Sequence, residues 1–156
     1  MSSNLGVIRC KSEIKTIKHL INCDAQPFIP SGWKVLPDEK QLPKRIRGNR
    51  KFNPQKISLY LSKKQNKGTI SGYNLRKDLA DKPVYTANVL DCLLAHQEII
   101  PEGWRGKYIF FWGTIYRDAD GRLCVRCLAW GGSQWNWDYD LLGRDFGANR
   151  PAALAS

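Results

Sequence analysis

The sequence lacks an apolar run approaching the roughly 20 residues that a membrane-spanning helix needs. Its first residues, MSSNLGVIRCKSEIK, also lack the apolar centre of a secretory signal. We therefore expect a cytoplasmic protein that makes no membrane contact. At 156 residues the chain is long enough to bury a core, and we expect 1–156 to form a single domain.

Residues suited to nucleophilic catalysis are scarce. There are only two histidines, His19 and His96, and the patterns G-x-S-x-G, H-E-x-x-H and the P-loop are absent. A nucleophile needs a base close to it. The sequence therefore favours a protein that is not an enzyme and needs no cofactor.

The cysteines number five, which argues against a disulfide framework. Two of them, Cys124 and Cys127, form a C-x-x-C pattern inside a predicted strand. Residues i and i+3 of a strand point to opposite faces, so the two sulfurs would not converge on a metal ion. We expect no metal site.

Acidic residues are absent from 40–77, whereas this segment holds twelve of the lysines and arginines in a chain of net charge +11. Such a block suits a nucleic acid or another polyanion, although it is also typical of a solvated face. The alternative function of nucleic-acid binding would use Lys44, Arg45, Arg47, Arg50, Lys51, Lys63, Lys64 and Lys67.

The first part of the chain gives weak structural signals. Residues 13–23 fit a helix or a strand, and their β-branched residues favour a strand. Four Pro and Gly residues predict a loop over 24–39, and 40–52 shows no period, which predicts a basic surface loop.

Three short helices follow in the prediction. Asn53 and Pro54 resemble an N-cap and a first helical residue, which predicts a helix through 55–65. A second helix fits 72–80. The third fits 87–97, with Thr86 as its cap and an apolar stripe on one side.

The last third of the chain predicts strands. Aromatic and β-branched residues fill 107–117, 122–130 and 133–140, and turns are predicted at 118–121 and 131–132. Helices followed by strands indicate an α+β fold. We expect an N-terminal mixed segment and short helices packed on a three-stranded antiparallel meander over 107–142.

Two similar phrases, FIPSGWK at 28–34 and IIPEGWR at 99–105, each place Pro and Gly before a tryptophan. This spacing suits a type I turn. We expect Trp33 and Trp104 to be buried anchors, and the alternative is a matched pair of aromatic clamps.

The stretch WGGSQWNWDYDLLGRD is the most informative. Three aromatic residues alternate with Asn136, Asp138 and Asp140, so a strand here would carry rings on one face and polar groups on the other. The rings could form core, but tyrosine and tryptophan mixed with small polar residues are typical of binding surfaces. The leading hypothesis is a binding protein whose ligand, a protein or other macromolecule, contacts Trp130, Ser133, Gln134, Trp135, Asn136, Trp137, Asp138, Tyr139, Asp140, Arg144, Asp145 and Asn149.

The run KPVYTANVLDCLLAHQEIIPEGWRGKYIFFWGTIYRDADGRLCVRCLAW, followed by the tryptophan-rich tract and PAALAS, resembles a family of small uncharacterised bacterial proteins from uncultured lineages. The resemblance covers most of the chain, from about Ile17 onward. It implies no known chemistry.

The tail is also similar to the variable regions of proteins diversified by retroelements, which keep Trp, Gly and Leu and vary the positions between them. The matching variable positions would be Ser133, Gln134, Asn136, Asp138, Asp140, Arg144, Asp145 and Asn149. This chain departs from that pattern because it lacks the signature of the lectin-like fold common there. The resemblance implies ligand recognition without catalysis.

Overall fold

The structure is a computed structural model that describes residues 19–156. Its strands are β1 (His19–Asn22), β2 (Lys34–Val35), β3 (Asn49–Phe52), β4 (Ile57–Tyr60), β5 (Ile70–Ser71), β6 (Tyr108–Arg117), β7 (Leu123–Trp130), β8 (Trp135–Leu141), β9 (Asp145–Phe146) and β10 (Ala152–Ala155). Its α-helices are α1 (Lys63–Lys67), α2 (Gly72–Asp78) and α3 (Ala87–Ala95). Single 3-10 turns lie at Asp38–Lys40, Pro54–Lys56, Leu79–Asp81, Gln97–Ile99 and Glu102–Trp104.

The structure contains both helices and strands, as expected for the predicted α+β class. The predicted three-stranded meander is wrong, because its strands belong to a larger sheet. β6, β7 and β8 do pair antiparallel in order, within a six-stranded mixed sheet ordered β4-β10-β6-β7-β8, with β2 also on β6. The last strand, β10, runs parallel to β6 and antiparallel to β4. Its small residues Ala152 and Ala153 are buried between those two strands, although the alanine-rich tail carries no strong strand signal.

The sheet is covered on both faces. On one face, Val89, Leu90 and Leu93 of α3 pack on Phe111 and Leu128. On the other face, residues of α2 and β9 pack on Phe110, Trp112 and Val125. We call these the α3 face and the α2 face.

The alternation of β7 separates its two cysteines. Cys124 packs with Ala87 and Tyr116, whereas Cys127 belongs to the cluster of the α2 face. The predicted divergence of the two sulfurs is confirmed.

The helix predicted over 55–65 is wrong. Asn53 accepts a hydrogen bond from the backbone of Gln55 at 3.0 Å, but it caps only a 3-10 turn. β4 follows, because its residues alternate with a period of two and pair with β10. The helix begins at Lys63, after a capping box between Ser62 and Gln65.

The helices predicted over 72–80 and 87–97 are present as α2 and α3. The capping assignment for α3 needs correction. Thr86 occupies the N-cap position, but its hydroxyl donates to the Asn88 side chain at 2.8 Å. The hydroxyl oxygen of Thr114 in β6 accepts from the backbone of Ala87 instead, at 2.9 Å.

The predicted basic loop over 40–52 is partly structured. Gln41, Leu42 and Phe52 are buried, and 49–52 form β3, which pairs with β1. Isolated apolar residues among many charged ones show no helical or strand periodicity, so the sequence did not indicate that these residues are buried. β1 confirms the strand predicted in 13–23 as far as 19–22, and 13–18 lie outside the described residues.

The two tryptophan anchors differ. Trp104 is buried as predicted, but Trp33 is only half-buried. Within 19–156, no helix is long and apolar enough to cross a membrane.

Candidate ligand-binding surface

Strand β8 ends the order of the sheet, and among residues 19–156 no strand pairs with its other edge, which we call the free edge. Trp137 lies opposite Leu128 of β7, and Asp138 lies opposite Cys127. The rings of β8 therefore lie on the α3 face and its Asn and Asp side chains on the α2 face. A partner that approaches this edge can therefore reach both sets of side chains.

The rings of β8 become more exposed along the strand. Trp135 is 4% exposed and belongs to the core, Trp137 is half-buried, and Tyr139 is 40% exposed. These rings are predicted to anchor a ligand where they are exposed, so the prediction now concerns Trp137 and Tyr139 rather than Trp135. The three rings thus range from a core residue at 135 to a surface residue at 139.

Two residues far away in sequence complete the aromatic group. The ring of Trp33 lies 4.8 Å from that of Tyr139 and 5.9 Å from that of Trp137, both edge to face. Phe28 packs on Trp137 at 5.9 Å and is itself 50% exposed. Both residues belong to the repeated phrase at 28–34, for which the sequence favours an anchor over an aromatic clamp.

Arg126 lies beneath these rings and is only 1% exposed. Its guanidinium carbon is 4.7 Å from the centre of the Trp137 ring and 5.1 Å from that of Phe28. Nη1 forms an ion pair with Asp91 of α3 at 3.1 Å. Nε has no hydrogen-bond partner among the described residues. The strand pattern alone predicted no role for this arginine.

Tyr116 extends the network of Arg126. Its hydroxyl accepts from Arg126 Nη1 at 3.3 Å and donates to the carbonyl of Phe28 at 3.0 Å. Burial raises the pKa of Tyr116 to about 12, against a smaller lowering by Arg126. The Asp91 carboxylate also accepts from the Phe28 backbone at 2.9 Å, so Phe28 is held at both its N–H and its C=O.

Much of the backbone along the free edge is already engaged. The side-chain amide of Gln97 pairs with both the N–H and the C=O of Trp135, each at 3.0 Å. The carboxylates of Asp138 and Asp140 accept from the next backbone N–H groups at 2.7 and 2.8 Å. Such contacts protect an edge strand from pairing with another chain. A ligand would therefore meet side chains rather than add a strand.

The polar residues of β8 are not equally available. Asn136 and Asp138 are exposed, whereas Asp140 is half-buried and forms an ion pair with Arg150. Arg144 approaches Asp140 at 3.9 Å. Asp140 therefore has a structural partner, which the sequence pattern did not indicate.

The exposed and half-buried side chains at the free edge lie on both faces of the sheet, the rings on the α3 face and Asn136 and Asp138 on the α2 face. We call them together the edge surface, which consists of Phe28, Asn136, Trp137, Asp138 and Tyr139.

A neighbouring cavity lies at the β7–β8 hairpin. Trp130, Ser133, Gln134 and Trp135 line an opening of about 540 Å³. Trp130 packs edge to face on Trp135 at 5.3 Å, and the guanidinium of Arg105 covers it at 3.9 Å. Arg105 was not predicted, because it is distant in sequence.

The remaining predicted ligand residues follow β8. Asp145 belongs to β9, which pairs with β5, and its side chain is exposed. Asn149 is exposed as well, and its carbonyl accepts from the backbone of Tyr108 at 2.8 Å. Neither belongs to the edge surface as defined above.

The eight basic residues of the alternative hypothesis lie on separate elements. Three of them, Lys63, Lys64 and Lys67, lie on α1 and flank Gln65. The Gln65 side chain donates hydrogen bonds to the carbonyls of Gly147 and Arg150, which places α1 next to the α2 face.

The others lie on β3 and the loop before it, where Phe52 packs on the α3 face. Lys44, Arg50 and Lys51 are exposed. Arg45 pairs with Asp38 at 3.2 Å and Arg47 with Asp24 at 2.6 Å. Arg47 also holds the pKa of Asp24 below its usual range. The eight residues are divided among α1, β3 and the loop before β3.

Within 19–156, no three or more His, Cys, Asp or Glu side chains form a group that could hold a metal ion. No family model, curated protein or solved structure matches this chain.

Proposed function

We propose that the protein is a non-enzymatic binding protein that holds a macromolecular ligand, most simply another protein, against its edge surface. The observation that carries this proposal is the exposure of Phe28 and Tyr139, 50% and 40%, whose rings lie 5.9 and 6.4 Å from that of the half-buried Trp137. Exposure of large aromatic rings to water is unfavourable in the free protein, and their burial against a partner is favourable.

The arrangement is preorganised. Phe28 is fixed by hydrogen bonds to Asp91 and Tyr116, and Trp137 packs against the guanidinium of Arg126. Rings that are already held in place lose little conformational entropy on binding. Aromatic residues of this kind commonly supply most of the binding free energy of a protein interface.

The distribution of buried and exposed residues after Trp130 supports recognition. Trp135, Leu142 and Phe146 are buried and hold the segment in place. The positions that would vary in a retroelement-diversified protein are exposed, apart from the half-buried Asp140. Substitutions at these positions would change the ligand without disturbing the fold. We therefore include in the proposal that the protein is one of the retroelement-diversified proteins.

The charges near the rings favour a protein over a nucleic acid. The charge of Asp91 is offset by the buried Arg126, whereas Asp138, the residue before Tyr139, is exposed. The Asp138 carboxylate would repel phosphate groups.

A peptide-display selection on the immobilised protein tests the proposal. We expect the selected peptides to bind at least about tenfold more weakly to Tyr139→Ser and Phe28→Ser variants, since both replace an exposed anchor ring. The matched control is Tyr73→Ser, because Tyr73 is also 50% exposed but lies on α2. Equal affinity for the wild-type, Tyr139→Ser and Phe28→Ser proteins would refute the edge surface as the binding site.

A further inference from the structure

A separate cavity of about 540 Å³ lies between the first residues of α3 and the loop before β3. Its size is in the range of small-molecule sites, about 300–1,000 Å³. Trp33, Asp38, Arg45, Arg47, Thr86 and Asn88 are among its lining residues. We call it the Arg45–Arg47 pocket.

Two guanidinium groups converge on one point of this pocket. Oδ1 of Asp38 lies 3.2 Å from Nη2 of Arg45 and 3.6 Å from Nη1 of Arg47. The Arg45 side chain is only 10% exposed, and Nε of Arg47 is held by Asp24 at 2.6 Å. Both arginines are therefore fixed in orientation, and their convergence marks a place that suits an oxyanion.

The Asp38 carboxylate occupies this position, and an anionic ligand can displace it. Its side chain is 82% exposed, and exposed ion pairs contribute little to stability. The carboxylate can therefore turn outward into solvent and leave the position to an oxygen of a ligand.

The charge of the lining then suits a dianion. Once Asp38 has turned away, the cationic lining side chains Lys34, Arg45 and Arg47 face Asp24 alone, an excess of two positive charges. A phosphate monoester carries up to two negative charges and several acceptor oxygens, so it can bond to both guanidiniums together.

The wall beside the arginines is apolar. Ile29, Trp33 and Val35 line the same cavity, and the indole of Trp33 offers a flat surface. We infer that the Arg45–Arg47 pocket binds a small phosphate monoester with a planar apolar body, its phosphate taking the position of the Asp38 carboxylate. This inference does not rest on the proposed function, although Trp33 of the pocket packs on Tyr139 of the edge surface.

Titration calorimetry of the full chain with phenyl phosphate tests the inference. Asp38→Asn removes the competing carboxylate, and we expect it to tighten binding about threefold or more. Arg47→Gln removes one of the two donors, and we expect it to weaken binding about tenfold or more. Inorganic phosphate should bind more weakly than phenyl phosphate, because it cannot use the apolar wall.

Two control variants match the net-charge changes at distant sites. Asp120→Asn removes an exposed carboxylate that pairs with Arg122, and Arg105→Gln removes a guanidinium that covers Trp130. Both should leave the affinity unchanged. The inference is overturned if neither wild type nor Asp38→Asn binds phenyl phosphate, if Asp120→Asn tightens binding as much as Asp38→Asn, or if Arg105→Gln weakens it as much as Arg47→Gln.

Discussion

The guanidinium carbon of Arg126 lies 4.7 Å from the centre of the Trp137 ring, and Arg126 is at the same time almost fully buried. This pair joins the core to the edge surface. The arginine forms an ion pair with Asp91 on α3, and the half-buried indole packs against its guanidinium. A buried cation keeps such a position only when a carboxylate compensates its charge.

Asp91→Asn should therefore lower the free energy of unfolding by about 3 kcal/mol, because it leaves a buried guanidinium without its counter-charge. Chemical denaturation monitored by tryptophan fluorescence measures the change. Asp120→Asn, which breaks an exposed ion pair, should cost less than about 1 kcal/mol. Equal losses in the two variants would show that Arg126 does not depend on Asp91.

Gln97→Ala should expose the backbone edge of β8 at the hairpin. The variant loses both side-chain hydrogen bonds to Trp135, which should cost about 1–2 kcal/mol of unfolding free energy. Hydrogen exchange of the Trp135 amide should become faster as well. Gln55→Ala, at an exposed position, should change neither quantity. An unchanged Trp135 exchange rate in Gln97→Ala would contradict this assignment.

Gly113→Ala should destabilise the centre of the sheet. A Cβ at this position would lie 2.6 Å from the carbonyl oxygen of Tyr85, a backbone atom that cannot move freely. We expect a loss of about 2 kcal/mol or more in thermal or chemical denaturation. Gly103→Ala is the control, since nothing lies within 4 Å of its Cβ position. A Gly113→Ala protein as stable as the control would mean that β6 and Tyr85 lie farther apart.

The thiols of β7 should resist alkylation in the native protein. Burial raises the pKa of Cys124 to about 12 and raises that of Cys127 as well, so almost no thiolate forms at pH 8. After treatment with iodoacetamide, mass spectrometry should find both residues unmodified without denaturant and modified in its presence. Rapid modification of either thiol in the folded protein would contradict its burial.

Local sequence patterns predicted the elements that are regular and strongly amphipathic. The stripe that includes Val89 and Leu93 predicted α3, and the aromatic-rich runs predicted β6 and β7. β10 was missed because Ala152 and Ala153 carry little strand preference, and their burial depends on tertiary pairing. β4 was predicted as part of a helix, because Asn53 and Pro54 just before it resemble the start of a helix.

The candidate site was predicted in part. Alternation along β8 correctly separated the rings from the acids, but it could not show that β8 is an edge strand or that Trp135 is core. Phe28 and Trp33 reach Trp137 across more than 100 residues of chain. Arg126 is a charged residue within a buried strand, and only the position of Asp91 explains it.

Chemical-shift mapping tests the central claim most directly. A peptide selected on the wild-type protein would be added to ¹⁵N-labelled protein, with the amides and the Trp137 indole observed. The edge surface predicts that the largest changes fall at 136–139, at Phe28 and at the Trp137 indole. Changes concentrated at Arg50, Lys51 and the α1 lysines, with 136–139 unaffected, would contradict it.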